Sequence, residues 1–272
     1  MVLESIVVPS RWEKHPGRML YIGFAYASVG LLLGFFVFGS YASLSAIFLT
    51  TMPLVVIMYK ALTDEEGKDC RVCGEISMLK EHAHILYFFT YLFIGIVLAY
   101  SVWSAFLPED VSENLFSYQT EIIEAISDIG SAGAFHSQAN VVWLILSNNL
   151  VVLGFCILFS FLYGCGAIFI LTMNASILGV AIGSGVKTMY GEGLLAVVSY
   201  SSRYLIHGIP EILSYFIGAL AGGILSSAVI NHHYKTPKFK KIMVDVAVLT
   251  ALSVMLLVAS AFVEVYATPN LF

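Results

Sequence analysis

Charge is what this sequence has least of. Asp, Glu, Lys and Arg make up 11% of the 272 residues while 59% are hydrophobic, where a soluble domain carries about a quarter charged residues. The mean hydropathy of +0.88 excludes an ordinary soluble domain and points to an integral membrane protein. The 13 Lys and Arg lie almost wholly in loops and form no basic stripe, which argues against a nucleic-acid partner. Nucleotide-binding motifs, internal repeats and low-complexity tracts are absent, so neither a nucleotide-driven enzyme nor an inverted-repeat transporter is signalled. The first residues, MVLESIVVPSRWEKHPG, lack the apolar core and small-residue cleavage site of a secretory signal. Leu3, Ile6, Val7, Val8 and Trp12 beside Arg11 and Lys14 suit either a short interfacial segment or a frayed tail. Cysteine is scarce, and Cys156 and Cys165 lie in apolar stretches as small core residues.

What the chain has in quantity is apolar runs of the roughly 20 residues that an α-helix needs to cross the hydrocarbon core. They predict an all-α, polytopic transmembrane bundle of about seven spans in one membrane domain over 1–272. The spans fall near 18–40, 42–61, 84–106, 139–162, 164–186, 204–231 and 242–266. Residues 18–61 make an N-terminal helical hairpin, 62–83 a cytoplasmic loop and 84–266 the rest of the core. With seven spans, Arg11, Lys14, Arg18, Lys60, Lys68, Arg71, Lys80, Lys235, Lys238, Lys240 and Lys241 share one side. That side is the cytoplasm, so the N-terminus is inside, the C-terminus outside and the location the plasma membrane.

The 107–138 connection holds Glu109, Asp110, Glu113, Glu121, Glu124 and Asp128 and no Lys or Arg, which assigns it to the outside. Ile122, Ile123, Ile126 and Ile129 recur at helical spacing opposite the acids, predicting an amphipathic helix near 115–130 on the outer face of the bundle. It is either a solvated cap or a docking edge for a protein partner, as are the cytoplasmic loops.

Polar side chains inside spans need partners, so Asn148, Asn149, Asn174, His207 and Glu211 are expected to face the bundle interior. At 1.5 Å per residue, Asn148 and Asn149 lie roughly 15 Å and Glu211 about 10 Å below the outer ends of their spans, so the set could meet in the outer half. His207 and Glu211 share a helix face at i, i+4, and Gly208 and Pro210 free backbone carbonyls between them. Two readings stay open: interhelical hydrogen-bond glue at about 0.6 kcal/mol per bond, or a solute, proton or metal site. Asp245 and Glu264 are placed near the two interfaces, where hydration accounts for them. Gly179 with Gly183, and Gly218 with Gly222, permit close helix approach within the bundle or in a homodimer. Cys70 and Cys73, followed by His82 and His84, are weak zinc-ligand candidates, since the second pair lacks standard spacing.

Taken together, SNN at 147–149, Asn174 with Gly179, HGIPE at 207–211 and GALAGG at 218–223 resemble the stage II sporulation protein M family in an archaeal-type form. The resemblance covers roughly 80–232. It implies an all-helical core beginning at the third span, with 18–61 as an added hairpin. In spore-forming bacteria the family member joins two cell-wall hydrolases as a membrane-embedded organiser, although this chain carries no wall-binding or hydrolase module. The expectation is a non-enzymatic scaffold with no cofactor; the alternatives are a transporter or channel and an intramembrane metal-dependent hydrolase.

Overall fold

The computed structural model describes residues 17–66, 83–132, 138–163, 166–189, 191, 193–230 and 238–268. These form nine α-helices and no strand: α1 Arg18–Phe38, α2 Ala42–Glu66, α3 Ala83–Phe106, α4 Glu109–Leu115, α5 Ser117–Ala132, α6 Gln138–Tyr163, α7 Ala167–Met189, α8 Leu194–Ile230 and α9 Lys238–Phe262. The N-terminal segment and the Cys70, Cys73 and His82 candidates lie outside the described residues, as does the side chain of His84.

Six helical stretches are long and apolar enough to cross a bilayer, the first being Arg18–Met58. That first stretch is folded in two. Gly39 sits at φ 52°, a left-handed backbone that ends α1. Beyond a one-turn 3-10 helix, α2 returns along α1, because Gly34 meets Ala42 and Ala46 while Gly30 meets Ala46 and Thr50. Each arm covers about 30 Å or more at 1.5 Å per residue, so with that stretch counted as two the described residues hold seven helices of membrane-spanning length. Helix directions agree with that count. Gly23 faces Leu92 and Ile96, and Ser28 accepts a hydrogen bond from the Trp103 indole at 3.1 Å, so α1 and α3 run the same way. The pairs α3 with α7 and α6 with α8 are likewise parallel, as spans of equal parity must be.

The glycine pairs act inside this bundle. A Cβ on Gly179 would stand 2.6 Å from the Tyr100 Cβ, and Gly183 is pressed against Ser101 and Ser104, so both glycines seat α7 on α3. Gly218 and Gly222 do the same for α8 on α6, against Leu153, Ile157 and Ser160. Such contacts hold transmembrane helices together where lipid offers no hydrophobic driving force between them. Many hydroxyls bond their own helix: Thr50 donates to Ala46 at 2.8 Å, Thr51 to Ile47 at 2.7 Å and Ser253 to Leu249 at 3.0 Å.

The connection between α3 and α6 is hydrogen-bonded to the bundle. Lys187 Nζ donates to the Leu107 carbonyl at 3.1 Å, fixing the end of α3 beside the last turn of α7. From there α4 leads inward: Leu115 and Phe116 are buried, and the Phe116 ring meets Tyr100 at 6.1 Å. Gln119 in the first turn of α5 is fully buried; its Oε1 accepts from Ser43 at 2.7 Å and its Nε2 donates to Ser176 at 3.2 Å. Ser176 comes eleven residues before Lys187 on α7, about 16 Å of helix, while Ser43 is the second residue of α2, so Gln119 ties the middle of α7 to the first turn of α2. A buried amide with two hydroxyl partners thus fastens the root of α5 to the bundle. Glu109, Asp110, Glu113, Glu121 and Glu124 remain exposed, while Ile122 and Ile123 are half-buried.

Candidate functional site

On α6 the buried residues Asn149, Leu153, Cys156 and Ser160 recur at helical spacing and form one stripe toward α8. Asn149 is the polar member of the outer half of this stripe. Its partner helix α8 runs unbroken from Leu194 through Pro210, beginning ten residues before the expected span. Proline has no N–H, so the Ile206 carbonyl loses its i+4 donor one turn before Glu211. Glu211 lies where Asn149 arrives, its carboxyl within hydrogen-bonding reach of the amide. One turn on, the buried Tyr215 hydroxyl donates to Glu211 Oε1 at 2.8 Å.

A third helix completes the cluster. After α9 the chain widens into a π-helical turn, Val263–Ala267, that carries Glu264 and packs on both α6 and α8. Glu264 is half-buried there. The free thiol of Cys156 is buried on the same stripe of α6. A carboxyl, an amide and a phenol thus meet between α6 and α8, with the π turn packed beside them. Such a set can hold and pass protons or coordinate a cation through oxygen. Among the described residues no group of three or more His, Cys, Asp and Glu side chains is arranged to hold a metal.

The structure brings together only part of the polar set expected in the interior. Asn149 and Glu211 meet. Asn148, one step round α6 from Asn149, is exposed, so its expected inward orientation is corrected: the buried stripe passes through only one of two adjacent residues. Asn174 donates its amide to the Ile170 carbonyl of its own helix at 2.8 Å. His207 belongs to α8 one turn before Glu211, but its side chain lies outside the described residues. Tyr215 and Glu264 are the members that sequence reasoning missed. Tyr215 follows Glu211 at i+4, which was legible; Glu264 is the sole charged residue after Asp245, a signal set aside in favour of interfacial hydration.

The sequence profile of stage II sporulation protein M matches residues 84–269, from the second residue of α3 to just past the π turn. The α1–α2 hairpin precedes the matched region, and every member of the polar cluster lies within it. A Methanocaldococcus jannaschii protein described as uncharacterized is 32% identical over 130 residues, which span 47% of this chain and 70% of that protein. No solved structure matches the chain significantly. On the extent of the profile match, more than half its length, the chain belongs to the stage II sporulation protein M family.

Proposed function

We propose that this protein is a non-enzymatic, multi-pass component of the plasma membrane that organises partner proteins around its outer connection. The observation that carries the reading is the fixation of α5 through Ser43, Gln119 and Ser176, with the Glu121 and Glu124 side chains exposed. A helix anchored at its root by a buried amide presents its charges in a fixed frame, which lowers the ordering cost of docking. The acidic surface favours a basic partner surface. Photo-crosslinking in the native membrane from positions 120 and 124 tests this. A discrete protein adduct is expected, falling about tenfold when Glu113 and Glu121 are both changed to Lys, because like charges across a rim oppose association. Adducts to lipid alone, or a protein adduct indifferent to the charge reversal, would contradict it.

A second reading, proton or cation passage, is favoured by the Glu211 carboxyl held by Tyr215 and Asn149 between two spans. In sealed liposomes it requires a flux that Glu211→Gln abolishes; wild-type vesicles that hold an imposed proton or cation gradient would exclude it.

A further inference from the structure

Asn148 is a polar side chain that faces away from the bundle. On α6 the exposed rings of Trp143 and Tyr163 stand twenty residues apart, about 30 Å of helix, the separation of the two interfacial belts where such rings reside. Asn148 comes five residues after Trp143, about 7–8 Å further along the helix, which places it within the hydrocarbon. It is exposed there, and among the described residues its amide has no hydrogen-bond partner. Asn174 settles the same problem within its own helix by donating to the Ile170 carbonyl four residues back. The equivalent carbonyl for Asn148 is that of Leu144, which already accepts the Ser147 hydroxyl at 2.9 Å beside its helical N–H, so both of its lone pairs are used.

The rest of that face is patterned. Leu144, Val151, Phe155, Leu158 and Leu162 are exposed on α6, and with Asn148 they recur at alternating steps of four and three residues, the spacing of a seam between supercoiled helices. The seam lies opposite the buried stripe from Asn149 to Ser160, no charged residue interrupts α6, and α6 is the least buried of the spans. From this geometry we infer that the exposed face of α6 is an interface with a second copy of this chain, in which Asn148 pairs with Asn148. A polar group in lipid requires a partner, and a second copy supplies one at the right depth. Two chains inserted the same way run their α6 helices parallel and level, so a two-fold axis beside α6 sets each asparagine against its equivalent. The amide is self-complementary, carrying two donors and an acceptor, whereas a foreign helix would need its own polar residue at this depth. One asparagine in an otherwise apolar seam also fixes the register of the pair. The interface is independent of any partner at the outer connection.

Photo-crosslinking of the purified full chain, diluted in lipid vesicles and carrying the reactive residue at position 151, tests the inference. An adduct of twice the chain mass is expected. Asn148→Leu is expected to lower its yield about fivefold or more, the scale of a polar pair lost between helices in lipid. Asn148→Gln, which keeps both donor and acceptor, is expected to retain most of it. The same probe at position 255, where Met255 is exposed on α9, is expected to give no adduct between copies. Because the Asn148 amide makes no bond within its own chain, Asn148→Leu is expected to keep the wild-type circular dichroism, so that a lost adduct reports association and not unfolding. Monomer alone at every dilution, a yield indifferent to Asn148→Leu, or an equal yield from position 255 would overturn the inference. So would crosslinks from position 151 in native membranes that reach a different protein and never a second copy.

Discussion

Gly95→Leu is expected to leave little folded protein, lowering the yield of monodisperse protein in mild detergent by about tenfold or more. A Cβ at Gly95 would fall on the Leu20 carbonyl and within 2.9 Å of the Leu20 carbonyl carbon and 3.0 Å of the Phe24 nitrogen. All three are backbone atoms, so no side chain can swing aside. Gly23 makes the reciprocal approach from α1 onto the Leu92 backbone. Overpacking a filled core costs about 1–3 kcal/mol even where side chains can adjust, and a leucine against a rigid helix backbone stands at or beyond the upper end. The loss would also separate the α1–α2 hairpin from the family core. Gly154→Leu is the matched control: nothing lies within 4 Å of a Cβ there, and its yield is expected to equal the wild type. Gel-filtration profiles and thermal melts of the two variants check the difference.

The second large effect is expected at the seam that assembles the polar cluster. Gly222→Leu would drive a side chain onto the Ile157 carbonyl and to within 2.8 Å of the Ser160 Cβ, prising α8 from α6 and with it Glu211 from Asn149. Gly218→Ala, one turn earlier, encounters mainly the Leu153 side-chain end, which can rotate. Its cost is expected near or below about 1 kcal/mol, as for a small adjustment in a packed core. Melting temperatures therefore order as wild type, Gly218→Ala and, several degrees or more below, Gly222→Leu. Equal melting of the two variants would show that the α6–α8 contact is looser than described.

These seams were legible only in part. The spans stand out because no other segment type needs twenty apolar residues, and Lys and Arg sort by side because charge resists translocation. The small-residue pairs at Gly179, Gly183, Gly218 and Gly222 announced close approach, but spacing alone cannot name the helix approached. Asn148 and Asn149 were inseparable until the stripe through Leu153, Cys156 and Ser160 fixed the phase of α6. The start of α8 was missed because Ser199, Ser201, Ser202 and Arg203 dilute the hydropathy without interrupting the helix. Gln119 was invisible for a different reason: its partners Ser43 and Ser176 are 76 and 57 residues away, and only tertiary packing brings them to one amide. Glu264 depends on a π turn that no local periodicity encodes.

Hydrogen–deuterium exchange of the full chain in lipid nanodiscs, read at the amides from Tyr118 to Ile123, tests most directly whether the outer connection is rooted in the bundle. Those amides are expected to exchange as slowly as the middle of α7, because local opening there must break the Ser43–Gln119–Ser176 bonds and expose Phe116. Gln119→Leu, which leaves both serines without this amide at a cost of about 1–3 kcal/mol, is expected to speed exchange about tenfold or more in that segment while α3 and α7 stay protected. Wild-type exchange at the rate of an unstructured peptide, or an α5 whose protection is unchanged by Gln119→Leu, would contradict the account.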